Sequence, residues 1–348
     1  MRPSALSKPT EHRQWEAAPG EWNIVEAGTS KSAFGSTAGA RDEACESSRA
    51  EQSSRASSLP LGRVPRVTIG VPVYNCARHL PAALDSLLAQ TFTDFELLVS
   101  DNASTDETAA IIHRYRRRDS RIRYVRHERN AGAPANWNYV AREARGQYLK
   151  WASGNDLAAP AMLARAVEVL DREPAVVLCY GRTELIDEAG ASLGIYGGDI
   201  EARATRPSSR FIHVCRRLVM NNAQNGLVRL GAVRRTRFNP LYPHGDMVFM
   251  AELAMLGHFV LLPEVLFYRR WTPESASSKF GEAARREFYA PGNRSRWLLR
   301  FVTGRRHLGL LRAALTAEAP LVDRLRSACF AACYALWAGA GVRRLFGR

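Results

Sequence analysis

The stretch Arg66-Val-Thr-Ile-Gly-Val-Pro-Val-Tyr-Asn75 is followed, after an interval long enough for a helix, by Phe95-Glu-Leu-Leu-Val-Ser-Asp-Asn-Ala-Ser-Thr-Asp106. Within these stretches the apolar runs Val67–Val73 and Phe95–Val99 each end in a polar turn. The segment between them, His79–Gln90, has its apolar residues at helical spacing. This order predicts a βαβ unit with two parallel strands. Because ligands bind beyond the carboxyl ends of such strands, we expect both polar turns at the functional edge of the sheet.

Strand-like and helix-like segments continue to alternate as far as Pro174. This alternation predicts an α/β fold with a mostly parallel, doubly wound sheet and helices on both faces. The segment Thr183–Ala191 reads as a hairpin, so we expect antiparallel strands in the second half of the sheet. A helix is predicted over Met247–Leu256 and a further strand over Phe259–Phe267.

The two ends of the chain lack this alternation. Residues 1–62 are rich in small and charged residues without periodicity, so we predict a disordered tail; an extension that is not translated is the alternative. Residues 293–348 are predicted to form a basic, amphipathic helical extension. Its apolar run Ser327–Val342 is shorter than the ~20 residues of a spanning helix. Two alternatives for this extension remain open: an interfacial membrane helix, or a helical bundle packed on the main domain.

The formal net charge of +15 is compatible with a phosphate-bearing substrate, an anionic membrane surface or nucleic acid. No nucleic-acid-binding motif accompanies the charge, so we expect no specific nucleic-acid partner. The six cysteines form no Cys-x-x-Cys pair, and the N-terminus has no apolar signal-peptide core. We therefore expect a cytoplasmic protein; the basic C-terminal region adds the alternative of a protein that is peripheral on the cytoplasmic face of the inner membrane.

The two opening stretches resemble the family 2 glycosyltransferases, which have the GT-A fold and use nucleotide-sugar donors. In this family one strand ends in Val-Pro-x-Tyr-Asn and a later one in an Asp-x-x-Ser-x-Asp turn, and both patterns occur here in that order. The resemblance continues through Arg126–Gly132 and Ala144–Leu149 to Ser153–Asp156, and covers roughly Arg66 to Ser278. It implies a GT-A (Rossmann-like) domain in residues 63–292.

Asp101 follows the second strand, where its carboxylate is placed to accept a hydrogen bond from uracil or ribose. The resemblance assigns it the same donor-binding role. An Asx turn or a helix cap explains the same residue, and we expect its neighbours Ser104 and Asp106 to be structural. The other residues that the resemblance implies around the donor base and sugar are Pro72, Tyr74, Asn75 and Asn130.

The segment Ser153-Gly-Asn-Asp156 matches the family position at which an acidic pair binds Mn²⁺ or Mg²⁺ beneath the diphosphate. Hard cations prefer carboxylate oxygens, and a cation there offsets the charge of the leaving group. Asn155 stands where a second Asp is common, so only Asp156 supplies a carboxylate. We expect both residues to contact the donor and Asp156 to bind a divalent cation weakly.

A later segment, Pro263–Arg270, resembles a family segment that is often followed by His. Trp271 and Thr272 take that place here, so a third metal or phosphate contact is absent. We expect Arg269 and Arg270 to bind the diphosphate through charge-assisted hydrogen bonds.

Asp246 matches the acidic residue that heads a helix in related enzymes and is the predicted catalytic base; an N-cap is the alternative. The Asn-dense segment Asn221–Gly226 corresponds to a region that faces the acceptor in such enzymes, although a turn explains the same residues. The predicted acceptor-binding residues are Asn222, Asn225 and His244.

Two functional hypotheses follow from the resemblance. In the first, the protein transfers a sugar with inversion from a UDP- or dTDP-linked donor to a polysaccharide or lipid-linked acceptor of the cell envelope. In the second, it is a catalytically impaired GT-A domain that serves as a nucleotide-binding or membrane scaffold, because Asn155 and the missing His weaken the metal site.

Overall fold

The computed structural model describes residues 13–18, 21–26, 64–271, 288–289, 291 and 302–339. In these ranges eleven strands join one sheet. In chain order the strands are β1 Arg13–Ala18, β2 Glu21–Glu26, β3 Val67–Val73, β4 Phe95–Asp101, β5 Ile122–Arg126, β6 Tyr148–Trp151, β7 Leu157–Ala158, β8 Val176–Ile186, β9 Ser192–Tyr196, β10 Leu227–Arg229 and β11 His258–Arg270. The described helices are α1 Leu80–Leu88, α2 Thr108–Arg116, α3 Ala133–Glu143, α4 Met162–Arg172, α5 Pro207–Arg217, α6 Leu230–Arg234, α7 Gly245–Leu256, α8 Val302–Thr316 and α9 Leu321–Gly339.

Four adjacent strands form the parallel part of the sheet, in the order β6-β3-β4-β5. The predicted βαβ unit is confirmed, since β3 and β4 are parallel neighbours on either side of α1 in the chain. Strand β4 extends beyond the predicted Val99 to Asp101, because Asp101 pairs with Val73 on one side and Arg126 on the other. The polar turns after β3 and β4 therefore lie at the same edge.

The other part of the sheet is mixed, as predicted. Strand β10 is antiparallel to β6 and β8, and the hairpin of β8 and β9 is antiparallel. Strand β11 runs parallel to β8 and pairs with β7 in the opposite direction. It extends beyond the predicted Phe267, since Arg269 and Arg270 pair with Leu185 and Ile186. Both arginines are thus strand residues, at the carboxyl end of β11.

Helices cover both faces of the sheet, which confirms the doubly wound prediction. On one face, α1, α2 and α4 pack through residues such as Leu84, Ile112 and Leu163. On the other face, α3, α5 and α7 bury residues such as Val140 and Phe211. Burial of these apolar side chains on both sides is the main favourable contribution to folding.

The C-terminal helices α8 and α9 pack against the second face through Leu310 and small alanines. Asp323 of α9 accepts hydrogen bonds from the backbone N–H and the hydroxyl of Ser208, at 3.2 and 2.5 Å, where α5 begins. The predicted helical extension is present, and one of its faces is packed on the main domain. Among the described residues, no helix combines the length and the apolar character needed to cross a membrane.

The N-terminal segment contains two described strands. Strands β1 and β2 form an antiparallel hairpin, and β1 pairs in parallel with β9. At these positions the structure differs from the disorder predicted for residues 1–62, because backbone pairing with a sheet edge requires little side-chain periodicity. The rest of that predicted tail lies outside the described residues, as do residues 272–287 and 292–301.

Candidate functional site

Asp101 lies at the carboxyl end of β4 and is fully buried. Its Oδ1 accepts a hydrogen bond from the backbone N–H of Ser104 at 2.8 Å, and its Oδ2 accepts one from the Tyr124 hydroxyl at 2.9 Å. Burial, and then this bond to Asp101, raise the pKa of Tyr124 to about 12, so the hydroxyl keeps the proton that it donates. Oδ1 is thus occupied within the turn, which matches the Asx-turn alternative, and Oδ2 is occupied by a side chain of the neighbouring strand β5. Donor binding by Asp101 stays a prediction.

The turns after β3 and β4 are tied to each other. The exposed Asn75 has a left-handed backbone (φ 50°), a conformation that Asn tolerates, and its side-chain oxygen accepts from Thr105 N–H at 2.8 Å. Ser104 accepts the Asn75 N–H at 3.0 Å, and Asp106 accepts the Ala77 N–H at 3.1 Å. Ser104 and Asp106 therefore make the structural contacts that we expected. The predicted donor residues Pro72 and Tyr74 lie half-buried beside this pair of turns.

Asn130 belongs to the same edge, where it joins two loops. Its side-chain oxygen accepts hydrogen bonds from the Asn102 amide at 2.6 Å and the Gly132 N–H at 2.9 Å. The oxygen of Asn102 in turn accepts the Ala131 N–H at 3.0 Å. Sequence reasoning missed Asn102, although its place directly after Asp101 in the predicted edge turn was a signal.

Asp156 is the carboxylate of the predicted metal position, and it is half-buried. Its Oδ1 accepts the backbone N–H of Arg270 at 2.8 Å. Burial raises the pKa of Asp156, while the positive charges of Arg269, Arg270 and Lys150 act to lower it. A single carboxylate therefore faces three cationic side chains, an arrangement that favours a further anion in the same region.

The buried Arg270 side chain has a role different from the predicted one. Its guanidinium donates to the backbone carbonyls of Asn155 at 3.1 Å, Asp187 at 2.5 Å and Glu188 at 2.8 Å. These bonds join the turn before β7 to the turn between β8 and β9. These bonds use Nε and one terminal nitrogen of a side chain that is withdrawn from solvent, so they give Arg270 a structural role, and diphosphate binding by Arg270 stays a prediction.

Arg269 is half-buried and retains donors for a ligand. One of its terminal nitrogens donates to the side-chain oxygen of Asn222 at 2.7 Å. The amide of Asn222 donates to the half-buried Asp199 at 3.1 Å, and Asp199 also accepts the Thr183 N–H at 2.7 Å. The chain Asp199–Asn222–Arg269 therefore orients the guanidinium. The sequence carried no motif that pointed to Asp199.

The Asn-dense segment forms a short 3₁₀ turn over Asn222–Asn225. Asn222 and Asn225 are only 1% and 8% exposed, which differs from the predicted contact with an acceptor. Their burial follows from the bonds of Asn222 to Arg269 and Asp199 and from the packing of the turn against β8 and β6. The side-chain oxygen of Asn225 is buried and, among the described residues, has no hydrogen-bond partner.

Asp246, the predicted base, lies half-buried in the first turn of α7. Its Oδ2 accepts a hydrogen bond from the Asn221 amide at 3.2 Å. The N-cap position belongs to the exposed His244, whose backbone is left-handed (φ 65°), so the N-cap alternative for Asp246 is wrong. The Asp246 carboxylate thus heads α7 next to the turn that orients Arg269, which is compatible with a base. The acceptor role of His244 stays a prediction.

Lys150 of β6 was missed by sequence reasoning, although a lysine within an apolar strand was a signal. It is 1% exposed, and its ammonium donates to the backbone carbonyl of Asn225 at 2.5 Å. Burial lowers the pKa of Lys150 to about 7, against the opposing effect of Asp156.

The donor set at Asp156 decides whether a divalent cation fits. No group of three potential His, Cys, Asp or Glu ligands occurs in the part of the chain that the structure describes. A cage made of protein ligands alone therefore does not fit. Mg²⁺, however, is commonly held by one or two carboxylates together with substrate phosphates. The residues fit that mode, with Asp156 supplying the carboxylate and Asn155 a neutral oxygen.

Comparison with known proteins finds similarity to glycosyltransferases. The family described as Glycosyl transferase family 2 matches residues 68–203. An uncharacterized glycosyltransferase of Rickettsia felis is 36% identical over 132 residues, which are 37% of this chain and 21% of the relative. Chondroitin synthase of Escherichia coli is 28% identical over 157 residues, 45% of this chain and 23% of that one. The matches to the curated relatives named here thus span under a quarter of their length.

A solved structure shows the fold independently. S. aureus TarS 1–349, in complex with UDP-GlcNAc, superimposes with a TM-score of 0.57 over 81% of this chain and 76% of its own. The two share 17% sequence identity, so the likeness concerns the fold alone. Residues 68–203 therefore match the family model of glycosyl transferase family 2, and the sheet has the GT-A fold.

Proposed function

We propose that this protein is an inverting glycosyltransferase that moves a sugar from a nucleotide-sugar donor, UDP- or dTDP-linked, to a polysaccharide or lipid-linked acceptor. The arrangement around Asp156 carries the proposal. There, a carboxylate and the oriented Arg269 guanidinium lie at the carboxyl edge of a GT-A sheet, among an excess of positive charge. A diphosphate leaving group requires such stabilisation as its negative charge develops.

The donor and acceptor classes are supported by the relatives. TarS was crystallised with UDP-GlcNAc, and chondroitin synthase is named for a polysaccharide product. For this chain we place the nucleotide against the turns after β3 and β4, where Tyr74, Asn75 and the loop held by Asn130 lie. The network between these turns fixes the edge before a nucleotide binds, which limits the entropy lost on binding.

Asp246 is the proposed base. In an inverting displacement, an acceptor hydroxyl attacks the anomeric carbon, its proton passes to a carboxylate, and the nucleoside diphosphate leaves from the opposite side. The bond from Asn221 occupies one carboxylate oxygen of Asp246 and orients the group. A base that is held in one orientation avoids the entropic cost of alignment during the reaction.

A divalent cation is part of the proposal. It would be held by Asp156 and Asn155 together with oxygens of the donor, and it would supply Lewis-acid stabilisation of the diphosphate. Because Asn155 contributes no charge, we propose weak binding of the cation. Arg269 provides a second positive group whose position does not depend on metal.

A membrane surface is a further proposed partner, through the outer face of α9. Val322 and Leu325 are 61% and 54% exposed, and Arg326 and Cys329 are exposed at positions that continue the same helical face. An apolar face with arginine suits shallow insertion among anionic lipids. A lipid-linked acceptor would then be met at the cytoplasmic membrane face.

The first test is the melting temperature of the full chain with UDP, dTDP, GDP or CDP, each with Mn²⁺ or with EDTA. A ligand that binds only the folded state raises the melting temperature by mass action. We expect a shift of several degrees with UDP or dTDP that is reduced, though not abolished, by EDTA. The absence of a shift with every nucleotide would refute the donor site.

The scaffold hypothesis rests on Asn155 and on Trp271 in the place of the family His. It predicts nucleotide binding without turnover. Release of UDP from UDP-GlcNAc, or of dTDP from dTDP-glucose, separates the two proposals, with Asp246→Asn as the inactive reference and the exposed Glu201→Gln as the matched control. Nucleotide-dependent stabilisation without product release, in both the natural chain and Asn155→Asp, would favour the scaffold.

A further inference from the structure

Lys150 has an unusual position for a lysine. It lies at the centre of the sheet, on β6, where it pairs with Ile69 of β3 and Leu227 of β10. Its side chain is 1% exposed, and none of the ion pairs among the described residues includes it. Burial of an unpaired ammonium is costly, and an apolar residue would fill the same position without that cost. The charge at this position therefore calls for a reason other than stability.

The contacts of the ammonium suggest that reason. It donates to the carbonyl of Asn225 at 2.5 Å, the last residue of the Asn222–Asn225 turn, and lies 6.0 Å from the centroid of the Phe267 ring on β11. The negative charge of Asp156 stabilises it electrostatically. Lys150 thus bonds directly to the Asn turn, while Asp156 acts on it through its charge alone.

The Asn222–Asn225 turn and the residue before it also bond the other two charged groups of the site, Asp246 and Arg269. Asn221, immediately before the turn, donates to Asp246 at 3.2 Å, and Asn222 accepts from Arg269 at 2.7 Å. Strand β10 begins two residues after Asn225, and its Leu227 pairs with Lys150 itself. The bond to the Asn225 carbonyl therefore fixes the end of the turn relative to β6.

We propose that Lys150 is a positioning residue of the transferase: its buried amino group holds the Asn222–Asn225 turn by donating to the Asn225 carbonyl, and through Asn221 and Asn222 it sets Asp246 and Arg269 relative to Asp156. The inference rests on the proposed function, because it requires that these groups act on one donor. Lys150 is too deeply buried to touch the substrate, so its effect is transmitted entirely through the turn.

The test compares Lys150→Met, which keeps the length of the side chain but removes the ammonium, with Ile69→Val, a conservative change at its partner position on β3. Donor turnover is followed as release of UDP from UDP-GlcNAc. For Lys150→Met we expect kcat to fall 10- to 100-fold, KM to stay within threefold, and the melting temperature to stay equal or rise. Ile69→Val is expected to keep kcat within twofold. A purely structural lysine would give the opposite pattern, with lower stability and unchanged kcat per folded molecule.

A second measurement needs no donor. The Gly226 N–H donates to the Ala223 carbonyl at 2.9 Å and reports whether the turn is closed. We expect its hydrogen exchange to be at least tenfold faster in Lys150→Met and unchanged in Ile69→Val. Equal exchange in the variant and the natural chain would refute the proposal even if UDP-GlcNAc is not the donor.

A double variant checks the route through the turn. If Lys150 acts through Asn221, the combination of Lys150→Met with Asn221→Ala should lower kcat no more than the stronger single change. Multiplicative losses would overturn the route. Lys150→Arg retains an N–H donor at the end of the side chain and should recover kcat to within fivefold of the natural chain. If both Lys150 variants fail to fold, the amino group is a folding requirement and the proposal is overturned. If the natural chain itself binds no nucleotide, the proposed function is refuted instead.

Discussion

Arg270 and Arg269 are neighbours on β11, yet the structure predicts different results when each is replaced by Met. The Arg270 guanidinium donates three hydrogen bonds to the carbonyls of Asn155, Asp187 and Glu188. Hydrogen bonds that involve a charged group contribute about 1.5–3 kcal/mol each, so three amount to about 4.5–9 kcal/mol. Replacement also removes the desolvation cost of a buried cation, several kcal/mol. We expect a net loss of about 3–5 kcal/mol in the free energy of unfolding.

Arg269 provides the matched control. It is half-buried and makes one described hydrogen bond, to Asn222, so Arg269→Met should cost about 1–2 kcal/mol of stability. Its main effect should be on the donor, whose diphosphate loses a cationic partner; we expect UDP affinity to fall about tenfold, or 1.4 kcal/mol.

Urea unfolding and UDP titration of both variants check this pair of expectations. At about 2–4 °C per kcal/mol, Arg270→Met should melt about 6–20 °C below the natural chain. Once allowance is made for the unfolded fraction, its UDP affinity should be nearly unchanged. The reasoning is refuted if Arg270→Met unfolds within 1 kcal/mol of the natural chain, or if it loses more UDP affinity than Arg269→Met.

Three further predictions concern the base, the buried lysine and the outer face of α9. Asp246→Asn should lower UDP release about 10²- to 10⁴-fold with little change in melting temperature, because it removes a proton acceptor while an amide oxygen can still accept the Asn221 bond; wild-type turnover would exclude Asp246 as base. Between pH of about 7 and 10.5 the folded chain has released the Lys150 proton while the unfolded chain retains it, so stability gains about 1.4 kcal/mol per pH unit from this group. Lys150→Met should lose that slope when urea unfolding is compared at pH 7.5 and 9, and an identical slope would contradict the lowered pKa. Leu325→Glu should reduce sedimentation with phosphatidylserine vesicles several-fold, whereas Glu201→Gln should not, and equal binding by both would remove α9 from the membrane contact.

The sequence was sufficient for the order and kind of most elements. Strand β3 was predicted with the bounds that it has, and α7 was predicted to within a turn at each end. Apolar periodicity is a local property that a single chain carries directly. The strands β1 and β2 were missed because their pairing depends on an edge formed by residues far away in the chain.

Site residues were harder to assign than elements. The role of Asp246 as a base stays a prediction, and whether Asp101 binds a donor or closes its own turn depends on Tyr124 and Ser104. From the sequence, Asn222 is predicted to be a loop residue whose amide contacts an acceptor. In the structure its side-chain oxygen accepts from Arg269 and its side-chain nitrogen donates to Asp199. The type of a polar residue indicates what it can bind, whereas its partners decide what remains available.

By itself, the sequence determined a βαβ-based α/β domain with a functional edge after β3 and β4, and motifs that resemble family 2 glycosyltransferases. Only the tertiary structure separated Arg269 from Arg270 and revealed Lys150 beneath the Asn turn. The physical reason is that periodicity and turn chemistry act between residues close in the chain, while burial, charge and hydrogen bonding at a site are set by distant elements. Asp156, Asn222, Asp246 and Arg269 come together only when β7, the Asn turn, α7 and β11 meet at one edge.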